Sequence, residues 1–149
     1  MVACAPEALD TLEPGLHLDK KFVCQAVESV KHANWFEIEA SDNTVRIMVR
    51  IIKDIRERYT LLRPLTPWMI DLLCHHSVLS NPSGESLPLG KAFRRLIQVL
   101  SAGIFLPGSV GLTDPCAPGP YRIHTTLTLA EQDGICLTAQ ACDQHKYHI

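Results

Sequence analysis

The sequence predicts a mostly α-helical fold, a bundle of about five helices with one long structured loop. Three observations predict it. Apolar residues recur at spacings of three and four in successive segments, and residues that start or stop helices separate those segments. No segment offers a convincing strand. The 149 residues are 46% apolar and 20% charged, a globular composition of single-domain length.

Residues 1–16 include Pro6, Pro14 and Gly15 and read as an irregular lead-in. Asp19 is a natural N-cap for a first helix to about Ala40. Its apolar face is Phe22, Val23, Ala26, Val27, Val30, Ala33 and Phe36. Ser41 or Asp42 caps a second helix, which runs to about Tyr59. Val45, Met48, Val49, Ile52, Ile55 and Tyr59 form its inner face, and Ile47 and Ile51 widen it, so deep packing is expected. Arg46, Arg50 and Lys53 stand at i, i+4 and i+7 on the opposite side. Pro64 ends this segment. Thr66-Pro67 then opens a third helix, with Thr as cap and Pro at the first helical position, and Asn81-Pro82-Ser83-Gly84 stops it. A fourth helix spans about Leu89 to Ala102, with Gly103 as its stop. The glycine-rich run Gly103–Gly111 is apolar but too irregular for a helix, and Pro115, Pro118 and Pro120 prolong it as a loop. Thr128 and Glu131 form a capping box for a last helix carrying Ile135, Leu137 and Ala139.

The formal net charge of −2 gives no bulk field to draw the chain onto nucleic acid, although local basic stripes remain open. The six cysteines are scattered without a CxxC pair, the N-terminus carries no signal-peptide pattern, and no apolar run approaches a membrane span. A chain of this kind is expected to keep reduced thiols in the cytosol or nucleus and to use no membrane.

Catalytic patterns are scarce. The sequence contains no Walker loop, GxGxxG or HExxH, and Gly108-Ser109-Val110-Gly111 falls short of GxSxG. A two-metal site needs carboxylates converging from rigid strands, which the chain does not supply. His75 and His76 are adjacent on a helix and point about 100° apart, so they do not readily share a metal. They read as one surface and one half-buried histidine. Cys142, His145 and His148 have ligand-like spacing, but without a second cluster they read as a polar tail. No metal site is expected.

Three stretches together carry a resemblance. They are His32-Ala33-Asn34-Trp35-Phe36, the segment Leu65-Thr66-Pro67-Trp68-Met69-Ile70-Asp71-Leu72-Leu73, and the segment from Ala102-Gly103-Ile104-Phe105 through Gly111-Leu112-Thr113-Asp114-Pro115-Cys116. The first resembles the HA[RK]WF signature of the domain associated with zinc fingers, and the other two are similar to the same domain of the enhancer-binding-factor family. The resemblance runs from about Leu16 to Gln140, so residues 17–140 are expected to form one helical lobe. It implies the fold of template-free nucleotidyltransferases such as oligoadenylate synthetases and poly(A) polymerases, in which an α/β lobe precedes a helical lobe. Only the C-terminal helical lobe is matched. The GS motif and metal-binding aspartates of active relatives belong to the other lobe, and even the complete domain of this family is regarded as catalytically dead. The resemblance therefore implies no catalytic residue and no cofactor, with a nucleotide triphosphate conceivable only in a complete two-lobed parent.

Val49-Arg50-Ile51-Ile52-Lys53 resembles the [IL]RL[VL]K segment of the synthetases, which makes Lys53 a candidate remnant phosphate contact and Arg50 its weaker neighbour. Asp114-Pro115 resembles a DP element there, though a structural turn explains it more simply. Family members form heterodimers through their helical lobes, with zinc-finger or double-stranded-RNA-binding partners that carry the same domain. An interface needs a central apolar patch. Phe105, Leu106, Pro107 and Val110 in the loop are the candidates, with Ile135, Leu137 and Ala139 of the last helix; the competing expectation is that they close the core.

The chain also departs from the family. Where the family continues with a long apolar helix, residues 141–149 are short and polar, as in a truncated or alternative product or a faulty gene model. Gly134 is expected to weaken the last helix by about 1 kcal/mol relative to Ala. The resulting expectation is a non-catalytic dimerisation module of a nuclear and partly cytoplasmic complex. That complex would bind double-stranded RNA or DNA and regulate transcription and messenger-RNA metabolism through a related zinc-finger-associated-domain partner. The alternatives are the substrate lobe of an active nucleotidyltransferase and a non-functional fragment.

Overall fold

Helix follows helix throughout the computed structural model, which describes residues 19–144. The order is α1 (Lys20–Glu39), α2 (Asn43–Arg58), α3 (Pro67–Leu79), α4 (Leu89–Ser101) and α5 (Leu129–Gln144), with short 3₁₀ turns at Thr60–Leu62 and Ile123–Thr126. Among the described residues no strand forms; Thr113 and Arg122 make one isolated antiparallel bridge. The mostly α, five-helix expectation holds. Of the lead-in 1–16 and the tail 141–149, only Leu-free residues 141–144 fall among the described residues, and α5 runs through them.

The chain divides into two units, one ending at Glu39 and the other beginning at Ala40. The first contributes α1, where Asp19 accepts from the Lys21 amide at 3.0 Å through Oδ1, while its carbonyl accepts from the Val23 amide at 3.2 Å. No residue of α1 is buried.

The second unit holds the core. Asp42 caps α2 by accepting from the Thr44 and Val45 amides at 2.8 and 3.4 Å, leaving Ser41 outside the cap. Thr66 Oγ1 accepts from the Met69 amide at 3.2 Å with Pro67 at the first turn of α3. Thr128 and Glu131 close their box in both directions, at 2.7 and 3.2 Å. Helix α2 packs on α3, α3 on α4, and α4 on α5. Helix α3 sits innermost, burying Met69, Ile70, Leu72, Leu73, Cys74, Ser77 and Val78. The core also takes in Val45, Met48, Leu65, Leu96 and Ile135, all nearly inaccessible to solvent.

Two expectations for α2 are corrected. The widened apolar face does not make it deeply packed: Ile47 is exposed and Ile51 half-buried, because α3 and α4 cover only the Val45–Met48–Val49–Ile52 side. Tyr59 leaves the inner face as well. It is the extended C-cap residue, φ −113°, and its ring is exposed. Gly134 also has a structural use. A β-carbon there would lie 3.3 Å from Leu61 Cδ2, so the glycine lets the 3₁₀ turn Thr60–Leu62 approach α5 closely.

Candidate partner-binding surface and the Lys53 position

The outer stripe of α2 is not uniform. Arg46 Nε donates to the Ala40 carbonyl at 3.2 Å, while Arg50 is exposed. Lys53 Nζ stands 4.0 Å from Asp71 Oδ1 on α3, and their side chains are 47% and 18% exposed. Burial raises the Asp71 carboxyl above its ordinary value, and the Lys53 ammonium draws it partly back. One turn further, burial and then the Asp71 charge push the Cys74 thiol far up, which keeps it protonated and inert. The lysine expected to meet phosphate therefore already faces a carboxylate of its own chain. Spacing along the sequence gave no sign of this, because the two groups lie on different helices.

The loop after α4 is held rigidly by polar contacts. Ser109 Oγ donates to the Ile104 carbonyl at 2.6 Å, and Arg122 Nη1 to the Ser109 carbonyl at 3.1 Å. The Ile123 amide donates to Leu112 O at 3.0 Å and the Asp114 amide to Tyr121 O at 2.7 Å. Asp114 accepts from Trp68 Nε1 of α3 at 3.2 Å and from the Cys116 amide at 2.8 Å. Asp114-Pro115 is thus a structural turn that ties the loop to α3.

Beneath the loop, Phe105 stacks on His124 with centroids 6.3 Å apart and planes 29° from parallel. Gly111, at φ +65°, lies against the same imidazole, where an added β-carbon would come within 2.5 Å of Nδ1 and Cε1. The Gln132 side chain of α5 donates to the carbonyls of His124 and Leu127 at 3.0 and 3.2 Å. His124 Nδ1 itself makes no hydrogen bond. Burial, and then the nearby Arg122 charge, hold this imidazole below its ordinary value. The sequence offered no signal for His124.

The expected interface residues separate cleanly. Phe105 is 2% and Ile135 1% exposed, so both close this chain's own core and present nothing to a partner. Leu106 is half-buried and sits over Gly103, whose positive φ of 90° turns the chain there. Pro107, Val110 and Leu137 reach the surface, Val110 most of all at 84% exposure. The rigid loop is what holds Val110 outward.

A second apolar feature was not anticipated from sequence. An open groove of about 440 Å³ runs between α2, α4 and α5, lined mainly by Ile55, Leu62, Phe93, Ile97, Leu100 and Ala139. Asp54 and Arg58, paired at 2.9 Å, stand on its rim beside Tyr59. Leu61 is exposed on the 3₁₀ turn that approaches Gly134 of α5. Of the expected interface residues only Ala139 contributes to its lining, since assembling the groove takes three helices remote in sequence.

His75 and His76 are both half-buried. His145 and His148 lie outside the described residues, and among the described residues no group of three or more metal-ligating side chains converges.

The family comparison agrees with this architecture. The family model of the DZF C-terminal domain matches residues 44–144, from the first turn of α2 to the end of α5. The His32–Phe36 motif lies in α1, before the matched span. The other two family-like segments, 65–73 and 102–116, fall inside it, as α3 with its cap and as the rigid loop with its Asp114 anchor. The chain therefore belongs to the DZF C-terminal domain family, the helical lobe of a pseudo-nucleotidyltransferase-like module.

Proposed function

We propose that the chain is a non-catalytic dimerisation module that pairs with a second protein carrying a related domain. The observation that carries this is the open apolar groove between α2, α4 and α5, with exposed Tyr59 in its lining. Apolar surface gathered beside a groove and edged by charged side chains is the usual anatomy of an interface. Val110 and Pro107, on their stiffened loop, offer a second patch whose ordering cost is already met within the fold. The assembled complex is nuclear, with a cytoplasmic share, and acts in RNA or DNA binding and in transcriptional and messenger-RNA control. In it the partner supplies most nucleic-acid contacts, and Lys53, neutralised by Asp71, is a remnant.

The test is co-expression with a complete partner domain, followed by size-exclusion chromatography with light scattering. A one-to-one complex is expected. Tyr59→Glu should weaken it at least about tenfold while leaving the helical circular dichroism unchanged, because Tyr59 lines the groove and is exposed. A folded chain that elutes separately from its partner would overturn the proposal. Metal-dependent nucleotide incorporation by a two-lobed parent would instead favour the substrate-lobe alternative.

A further inference from the structure

Helix α4 carries Lys91, Arg94 and Arg95 and no acidic residue. Those three stand at i, i+3 and i+4, so they share one side of the helix. Like charges so spaced cost a helix a few tenths of a kcal/mol per pair. Lys91 and Arg94 are exposed, Arg95 is half-buried, and exposed Gln98 continues the stripe by two turns from Lys91. Six acids elsewhere in this unit are engaged: Asp54 with Arg58, Glu57 with Arg56, Asp71 with Lys53, and Asp42, Asp114 and Glu131 with backbone amides. No ion pair among the described residues engages Lys91, Arg94 or Arg95. A chain of net charge −2 thus keeps a strip of uncompensated positive charge.

The end of α3 extends that strip. Half-buried His75 and His76 lie there, and Arg95 is close enough to act on His76, which burial holds below its ordinary value and which Arg95 and His75 push further the same way. Two arginines, a lysine, an amide and two histidines make a surface of hydrogen-bond donors, of which the arginine forks suit phosphate oxygens best.

We propose that the outer face of α4, with the adjoining end of α3, binds the phosphate backbone of a nucleic acid without reading its sequence. An acidic protein surface is the competing occupant, and the composition of the face disfavours it. Protein interfaces are built around an apolar or aromatic centre. None of the exposed large apolar residues of the described unit belongs to α3 or α4; they lie on α2, the 3₁₀ turn, the loops and α5. A face with charge and no apolar anchor fits phosphate binding, where electrostatics supplies nearly all of the affinity. The site is separate from the groove proposed for dimerisation, and it requires only this chain.

The test is fluorescence anisotropy of the full chain with a short labelled RNA duplex across a salt series. The double variant Lys91→Gln/Arg94→Gln should lose roughly tenfold or more in affinity at low salt, with the slope of log K against log salt falling by about two. Because both side chains are exposed, the fold should survive, which circular dichroism checks. The charge-matched variant Lys21→Gln/Arg63→Gln, off α4 and with both side chains exposed, should keep the wild-type slope. Absence of binding by the wild-type chain would overturn the proposal, as would equal slopes for wild type and the α4 variant. Displacement of the duplex by a polyglutamate peptide at matched charge would overturn it too, by assigning the face to an acidic protein. Dimerisation plays no part in this measurement, so its failure leaves the dimer proposal untouched.

Discussion

At the scale of single residues, burial decides what a side chain can do. His124 is enclosed by Phe105, Gly111 and α5, and its imidazole is held below its ordinary value by that enclosure and by Arg122. An unfolded chain takes up the proton near pH 6.5, while the folded chain resists it until lower pH. The unfolded state then binds more protons, so stability should fall as pH drops below about 6.5. Urea unfolding at about pH 7.5 and 5.5 should show this loss, and His124→Gln should reduce the difference between the two. An unchanged difference would show that His124 does not titrate across this range. Cysteine and histidine identities were plain in the sequence, yet their reactivity was not. Cys74 and Cys136 are made unreactive by burial first, with Asp71 and Asp133 adding to it. Phe105 makes the same point for an apolar residue: a loop position suggested display, but its ring packs on His124 instead.

At the scale of elements, local chemistry was legible because it acts over a few residues. Asp19, Asp42, Thr66-Pro67 and Thr128–Glu131 each start a helix through side-chain bonds to orphan amides, and all four were readable as caps. Thr66→Ala should therefore destabilise the unit by about 1 kcal/mol, measured by denaturant unfolding; no change would mean that packing of α3 alone sets its start. The same local logic misplaced Tyr59, since apolar periodicity continues past the point where the helix ends. It also judged Gly134 by propensity alone. Propensity weakens the helix there, but the close approach of Leu61 is a tertiary fact that no window of neighbouring residues contains.

At the scale of the whole molecule, the second unit depends on α3. Leu73→Ala should cost about 2–5 kcal/mol in chemical denaturation, because Leu73 is fully buried on the helix that packs against both α2 and α4. A smaller loss would mean that the surrounding side chains collapse into the space. The sequence by itself determined the helical class, the order and caps of the helices, the irregular loop, and the family. These follow from periodicity and short-range hydrogen bonding, and from motifs that stand in a fixed order along the chain. Only the tertiary structure decided which apolar residues remain outside. It turned Phe105 and Ile135 inward, left Val110 and Leu137 exposed, paired Lys53 with Asp71, and assembled the groove from α2, α4 and α5. The physical reason is that exposure and charge pairing depend on which helices meet, and the meeting residues are distant along the chain.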